Sequence, residues 1–125
     1  MSGYYFAWHD KCYILNTDEL SFSDAQTECE KEYGGNLASI PDQYTQDFIE
    51  AILDDVGTSN AWIGGEYVDG SWTWLDGTKF NFDLNIDGDN EAPDNGDIAL
   101  HIYVDGNDEW GDDQPDDLQD YICQF

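Results

Sequence analysis

The apolar pattern of this chain changes near Asn60, from helical spacing to short strand-like runs, and that change constrains the class of fold open to it. Before it, two stretches carry helical spacing. Ser21 with Asp24 three residues on is a capping-box variant, with Asp where Glu or Gln is usual. The helix it opens is predicted to run to about Tyr33 and to stop at Gly34-Gly35. Ala25, Cys29 and Tyr33 then share one face. A second helix is predicted from about Asp42 to Val56, with Phe48, Ile49, Ile52, Leu53 and Val56 on one face and Gly57 ending it. Residues 4–15 are aromatic and β-prone, which predicts one or two strands. Beyond Asn60, residues 61–64 and 71–74 read as short strands around a Gly/Asp turn. Residues 99–103 and 121–123 read as two more. From Asp76 to Asp97 apolar periodicity almost vanishes. A loop that long inside a compact domain is uncommon and usually functional. The order predicts a single α+β domain over residues 1–125, without repeats.

Composition matters most through charge. The chain has 29 Asp and Glu against 3 Lys and no Arg, a formal net charge of −26. Lys11, Lys31 and Lys79 are too few to displace counterions from a polyanion, which excludes nucleic acid and anionic membranes as partners. A phosphate site built on basic side chains is excluded on the same ground. Self-repulsion on this scale must be relieved by bound divalent cations or by salt, as in a saline habitat. Hydrophobic residues make up 40%, enough for a packed core despite the charge. No apolar run approaches the ~18 residues of a membrane span, so no membrane insertion is expected. The opening Met-Ser-Gly carries no apolar signal segment and reads as a processed or recombinant start.

Three cysteines, Cys12, Cys29 and Cys123, occur without a C-x-x-C pair and with only two histidines, a pattern unsuited to zinc. One long-range disulfide and one leftover thiol account for them most simply. His9 and His101 belong to no nucleophile motif, and catalysis is not expected. His101 sits in a predicted strand, where it faces either the sheet surface or the loop.

Residues 83–120 hold 14 Asp and Glu and no Lys or Arg. Hard oxygen donors at this density suit Ca²⁺, although charge runs are more often solvated surface. One pattern inside the run has ligand spacing. Asp83, Asn85, Asp87, Asp89, Glu91 and Asp94 fall at positions 1, 3, 5, 7, 9 and 12 of an EF-hand-like loop, with Gly88 at 6. Asn90 stands where that loop wants an apolar residue, and no flanking helices are evident.

A set of landmarks runs through the whole chain. They are Ser23-Asp24-Ala25 through Cys29, Gly35-x-Leu37-Ala38-x-Ile40, Phe48, Trp62-Ile63-Gly64-Gly65, Trp72-x-Trp74-x-Asp76-Gly77, Pro93, Trp110-Gly111-Asp112 and Tyr121-Ile122-Cys123. In order and spacing they resemble a C-type lectin-like domain. The resemblance implies a double-loop fold with termini side by side, two helices, short antiparallel sheets and a long loop carrying calcium and ligand chemistry. It also implies a Cys29–Cys123 disulfide between the first helix and the last strand. The family's second disulfide has no counterpart: Ala99 stands at one partner's position, and residues 113–120 hold no cysteine. Cys12 matches a position whose usual partner is absent. It is expected as a buried free thiol, with a link to another chain, and so an oligomer, or to a truncated segment as the alternative. Trp62, Trp72, Trp74 and Trp110 match core positions, and Trp8 is left open between surface and core.

For the calcium site, the resemblance implies Asp94, Asp97 and Asp112 as ligands, with Asn95 beside them. Ala92 replaces the family's first ligand and Gly111 replaces an Asn, while Glu91 is one residue from the lost position. Glu66 and Asp69 fall near an accessory site. Glu91 and Asp94 belong to both patterns, so the lectin-like and EF-like sites compete. The expectation is an extracellular or secreted Ca²⁺-dependent carbohydrate-binding module. Its rival is a domain of the same fold that binds a protein, mineral or ice surface, which Ala92 and Gly111 favour.

Overall fold

A computed structural model of the chain describes residues 3–8, 10–80, 98–103 and 109–125. Among these, the elements in order are β1 (Gly3–Trp8), β2 (Lys11–Leu20), α1 (Phe22–Tyr33), β3 (Asn36–Leu37), α2 (Gln43–Val56), β4 (Asn60–Val68), β5 (Ser71–Trp74), β6 (Ala99–Tyr103), β7 (Glu109–Asp113) and β8 (Gln119–Gln124).

The helices begin and end where their capping residues dictate. The Ser21 hydroxyl accepts from the Asp24 N–H at 3.3 Å. Gly34 ends α1 at φ 70°, a left-handed conformation that favours glycine, and its N–H bonds the Glu30 carbonyl at 3.2 Å. The Asp42 carboxylate caps α2, accepting from the Thr45 N–H and hydroxyl at 2.8 Å each.

The strands join into one mixed sheet in the order β1-β2-β8-β4-β6-β7, with β3 on β8 and β5 on β4. The expected short antiparallel sheets are therefore fused. The junction is a parallel pairing of β4 with β8, through Ala61–Asp120 and Trp62–Tyr121. Cys12 and Phe125 exchange backbone hydrogen bonds at 2.8 and 2.9 Å, which sets the N-terminal hairpin beside the C-terminus.

Two apolar clusters fill the space around the sheet. One packs Ile49, Ile52 and Leu53 of α2 against Ile63, Trp74, Leu100, Ile102 and Trp110. The other packs Phe22, Ala25 and Cys29 of α1 against Ile14, Trp62, Ala99 and Tyr121. Cys29 and Cys123 are bonded within the second cluster, across a sequence separation of 94. Trp62, Trp74 and Trp110 are buried as expected, whereas Trp72 is half-buried with its ring against Tyr67. Cys12 departs from expectation. It is exposed, beside an apolar hollow of about 320 Å³ that it lines with Tyr5, Phe6, Ala7 and Phe125.

Candidate calcium and ligand site

The long loop leaves the sheet after β5 and returns at β6, and both roots are firmly held. At the exit, Asp76 is the centre of a polar network. Its carboxylate accepts from the Ser39 hydroxyl at 2.7 Å, from the Thr78 N–H at 2.9 Å, and from the Gln124 amide. Burial pushes the Asp76 carboxyl up, but the donors from Ser39, Thr78 and Gln124 outweigh it and hold the group below the ordinary carboxylate value. Separate stretches of chain thus meet on one charge.

Beside this network lies an aromatic cluster. Trp74 stacks on Phe80 at 4.8 Å and meets Trp110 edge-on at 5.4 Å. Phe80 meets Trp110 at 5.9 Å. The Trp110 indole N–H donates to the buried Gln46 amide oxygen at 2.8 Å, which ties α2 to β7. The buried indole N–H groups of Trp72 and Trp74 have no partner among the described residues.

At the return, the Tyr67 N–H bonds the Ile98 carbonyl at 2.9 Å. Glu66 is then flanked by Thr73 on one side and Ala99 on the other. Ala99 pairs with Asp113, and Leu100 with Asp112. The ladder therefore brings the backbone of Asp112, from the last quarter of the chain, beside the strand that begins two residues after Asp97.

Among the expected ligands, Glu91, Asp94, Asn95 and Asp97 lie outside the described residues, as do Asp83, Asn85, Asp87 and Asp89 of the EF-like pattern. Asp112 is placed by its backbone in β7. Glu66 is half-buried on β4. Asp69 is exposed at the tip of the β4–β5 hairpin, with φ 51°, followed by Gly70 at φ 85°. That pair closes a two-residue turn of the Asp-Gly type, so the turn alone accounts for its conformation. Among the described residues no three His, Cys, Asp or Glu side chains gather closely enough to hold a metal ion. Glu66 and Asp69 thus make no ion site with their described neighbours.

His101 has a definite orientation. It lies on the Trp62 side of the sheet, away from the Trp74–Trp110 cluster, with its Nδ1 2.9 Å from the Gln119 amide oxygen. Sequence reasoning missed this pairing, and also those of Gln46 and Gln124. Only Gln124, between Cys123 and Phe125, stands out in the sequence; Gln46 lies between Thr45 and Asp47, and Gln119 precedes Asp120.

The double-loop architecture with both loop roots clamped is that of the C-type lectin-like fold. Residues 18–125 match the model of the C-type lectin domain, and the chain belongs to that family. It is 34% identical over 76 residues to the galactose-specific lectin nattectin of Thalassophryne nattereri, covering 58% of this chain and 47% of that protein. Human lithostathine superposes with a TM-score of 0.86 at 26% identity, covering 97% of this chain and 95% of that one. The calcium-free form of a Ca²⁺-dependent type II antifreeze protein superposes with a TM-score of 0.82 at 26% identity, covering 97% and 96%. The chain spans about half of nattectin's length (47%) and 74% of mouse lithostathine-1. The matched family is that of a lectin-type domain, and nattectin is named as a galactose-specific lectin. No helix of the described residues is long and apolar enough to cross a membrane.

Proposed function

We propose that this chain is a secreted, calcium-dependent carbohydrate-binding domain that takes its ligand at the long loop. The observation that carries the reading is the coincidence of two placements. The sequence resemblance implies Asp94, Asp97 and Asp112 as calcium ligands, and the β6–β7 ladder supports this by bringing the Asp112 backbone beside the strand that follows Asp97. Glu91 and Asn95 complete the proposed donor set. Glu66 and Asp69 serve, at most, an accessory ion.

A bound Ca²⁺ supplies direct coordination of vicinal sugar hydroxyls. This chain's carboxylates orient those hydroxyls by accepting their hydrogen bonds. At the root from which the loop departs, Trp74, Phe80 and Trp110 pack against one another. The similarity to a galactose-specific lectin supports a sugar as ligand.

A second reading, a surface binder of the same fold, is favoured by Ala92 and Gly111, which remove two family donors. The similarity to a Ca²⁺-dependent antifreeze protein supports it as well. A glycan array run with calcium and with chelator separates the two. Calcium-dependent binding to a defined sugar class is expected, and a blank array in both conditions leaves the surface binder.

The exposed Cys12 thiol supports an interchain link. Thiol titration of the unfolded, unreduced protein reads it. No free thiol together with a doubled mass marks the linked dimer, and one free thiol per chain marks the monomer.

A further inference from the structure

We infer that His101 and Gly111 form one coupled unit that closes position 111 to any side chain, so that restoring the family's amide there requires changing His101 as well. The functional consequence rests on the calcium reading above; the coupling itself does not.

The two residues are register partners on β6 and β7. They belong to a row that crosses four strands: Tyr121, Trp62, His101, Gly111. The imidazole leans toward the open end of that row. A Cβ built on Gly111 would lie 2.4 Å from His101 Nε2, 2.9 Å from its Cδ2 and 3.1 Å from Tyr103 Cε1. No side chain fits there without moving the ring.

The ring is not free to move cheaply. Its Nδ1 is held by the Gln119 amide at 2.9 Å, and Gln119 is itself buried. Its faces and edges meet Trp62 at 6.2 Å and Tyr103 at 5.4 Å. Swinging it away from Gly111 breaks the amide contact and unpacks the indole.

Nor does the backbone demand glycine. The described glycines with positive φ are Gly34, Gly57, Gly70 and Gly77, and Gly111 is not among them. Room, not dihedral angle, requires the missing Cβ. A glycine inside a strand often marks such a close approach, and here the approaching group is the imidazole. The departure from the family at 111 is therefore locked in by packing. Glycine there is not a neutral loss that one substitution reverses.

The test is a pair of double-mutant cycles read by thermal melting and by calcium calorimetry. The variants are Gly111→Ala, Gly111→Asn and His101→Ser, alone and combined. In the wild-type background both changes at 111 should lower Tm by about 5–10 °C through overpacking. In the His101→Ser background the alanine should cost nothing or stabilise, because glycine loses more chain freedom than alanine on folding. Gly111→Asn alone should leave calcium affinity no tighter than wild type. Combined with His101→Ser it should tighten calcium about tenfold, by adding one oxygen ligand. Tm shifts that simply add across the cycle overturn the coupling, and the alanine cycle decides this even where the asparagine variant fails to fold. Coupled Tm shifts without tighter calcium binding keep the pair and overturn only the expectation that a side chain at 111 reaches the calcium site.

Discussion

The two faces of the sheet hold the chain by different means. On the α1 face, Cys29–Cys123 joins helix to last strand covalently inside an apolar cluster. At the loop roots, Ala99 stands where the family's second disulfide would begin, and residues 113–120 offer no cysteine. The roots are tied on the opposite face, by aromatic contacts, by Gln46 on Trp110, and by the donors on Asp76. The difference locates where an ion can matter. A face already closed by a covalent bond gains little from a ligand, whereas roots closed by hydrogen bonds and carrying the acidic loop gain whatever the ion supplies.

The strongest break of that comparison is at the disulfide. Replacing both Cys29 and Cys123 by serine should destabilise the fold by about 4–5 kcal/mol in the chain-entropy account of a long closed loop. Denaturant unfolding measures it, and an unchanged midpoint would show that the cluster alone holds α1 to β8. The loop roots should break with a smaller loss. Trp110→Phe keeps most of the ring contact but strands the Gln46 oxygen in the core, which costs about 1–3 kcal/mol. The companion Gln46→Leu should recover part of that loss in the Trp110→Phe background, since the stranded Gln46 oxygen is then gone, although the half-buried Glu50 carboxylate gives up the Gln46 amide donor. Recovery in a double-mutant cycle confirms the tie; strict additivity denies it.

Much of this could be read before any coordinates. Both helices are where Ser21, Gly34, Asp42 and Gly57 put them, because capping chemistry is local. Trp62, Trp74 and Trp110 are in the core, as the resemblance implied, whereas Trp72 is half-buried. The disulfide pair was accessible through family resemblance alone, since nothing local says which of three cysteines join. Strand β7 was hidden, for it is acid-rich and offers one apolar residue, Trp110, as a signal. The parallel β4–β8 junction joins residues about half the chain apart, which no local pattern encodes. The same holds for buried glutamines, whose partners are distant in sequence. Cys12 was expected inside on its residue type and is exposed. The calcium-site carboxylates were chosen from sequence, and the loop bearing most of them lies outside the described residues.

Acid should act on the loop roots through Asp76. Its folded pKa is held below the ordinary value of 3.8, so its contribution is fully present above that pH and is lost as pH falls through the folded value. Asp76→Asn should therefore be less stable than wild type at pH 7, and the gap should narrow in strong acid as the wild-type carboxyl protonates. Urea unfolding of both proteins at pH 7 and below pH 3 reads the gap. A gap of constant size would mean that the network around Ser39 and Gln124 does not depend on the charge.

Calcium calorimetry on the wild type and on Asp97→Asn, Asp112→Asn and Asp83→Asn tests the central claim most directly. Asp97 and Asp112 are ligands only of the lectin-like site, and Asp83 only of the EF-like loop. The expected result is a wild-type binding heat that Asp97→Asn or Asp112→Asn weakens sharply, together with any sugar binding, while Asp83→Asn changes it only by a small screened electrostatic effect. No binding heat in the wild type, or loss confined to Asp83→Asn, would contradict it.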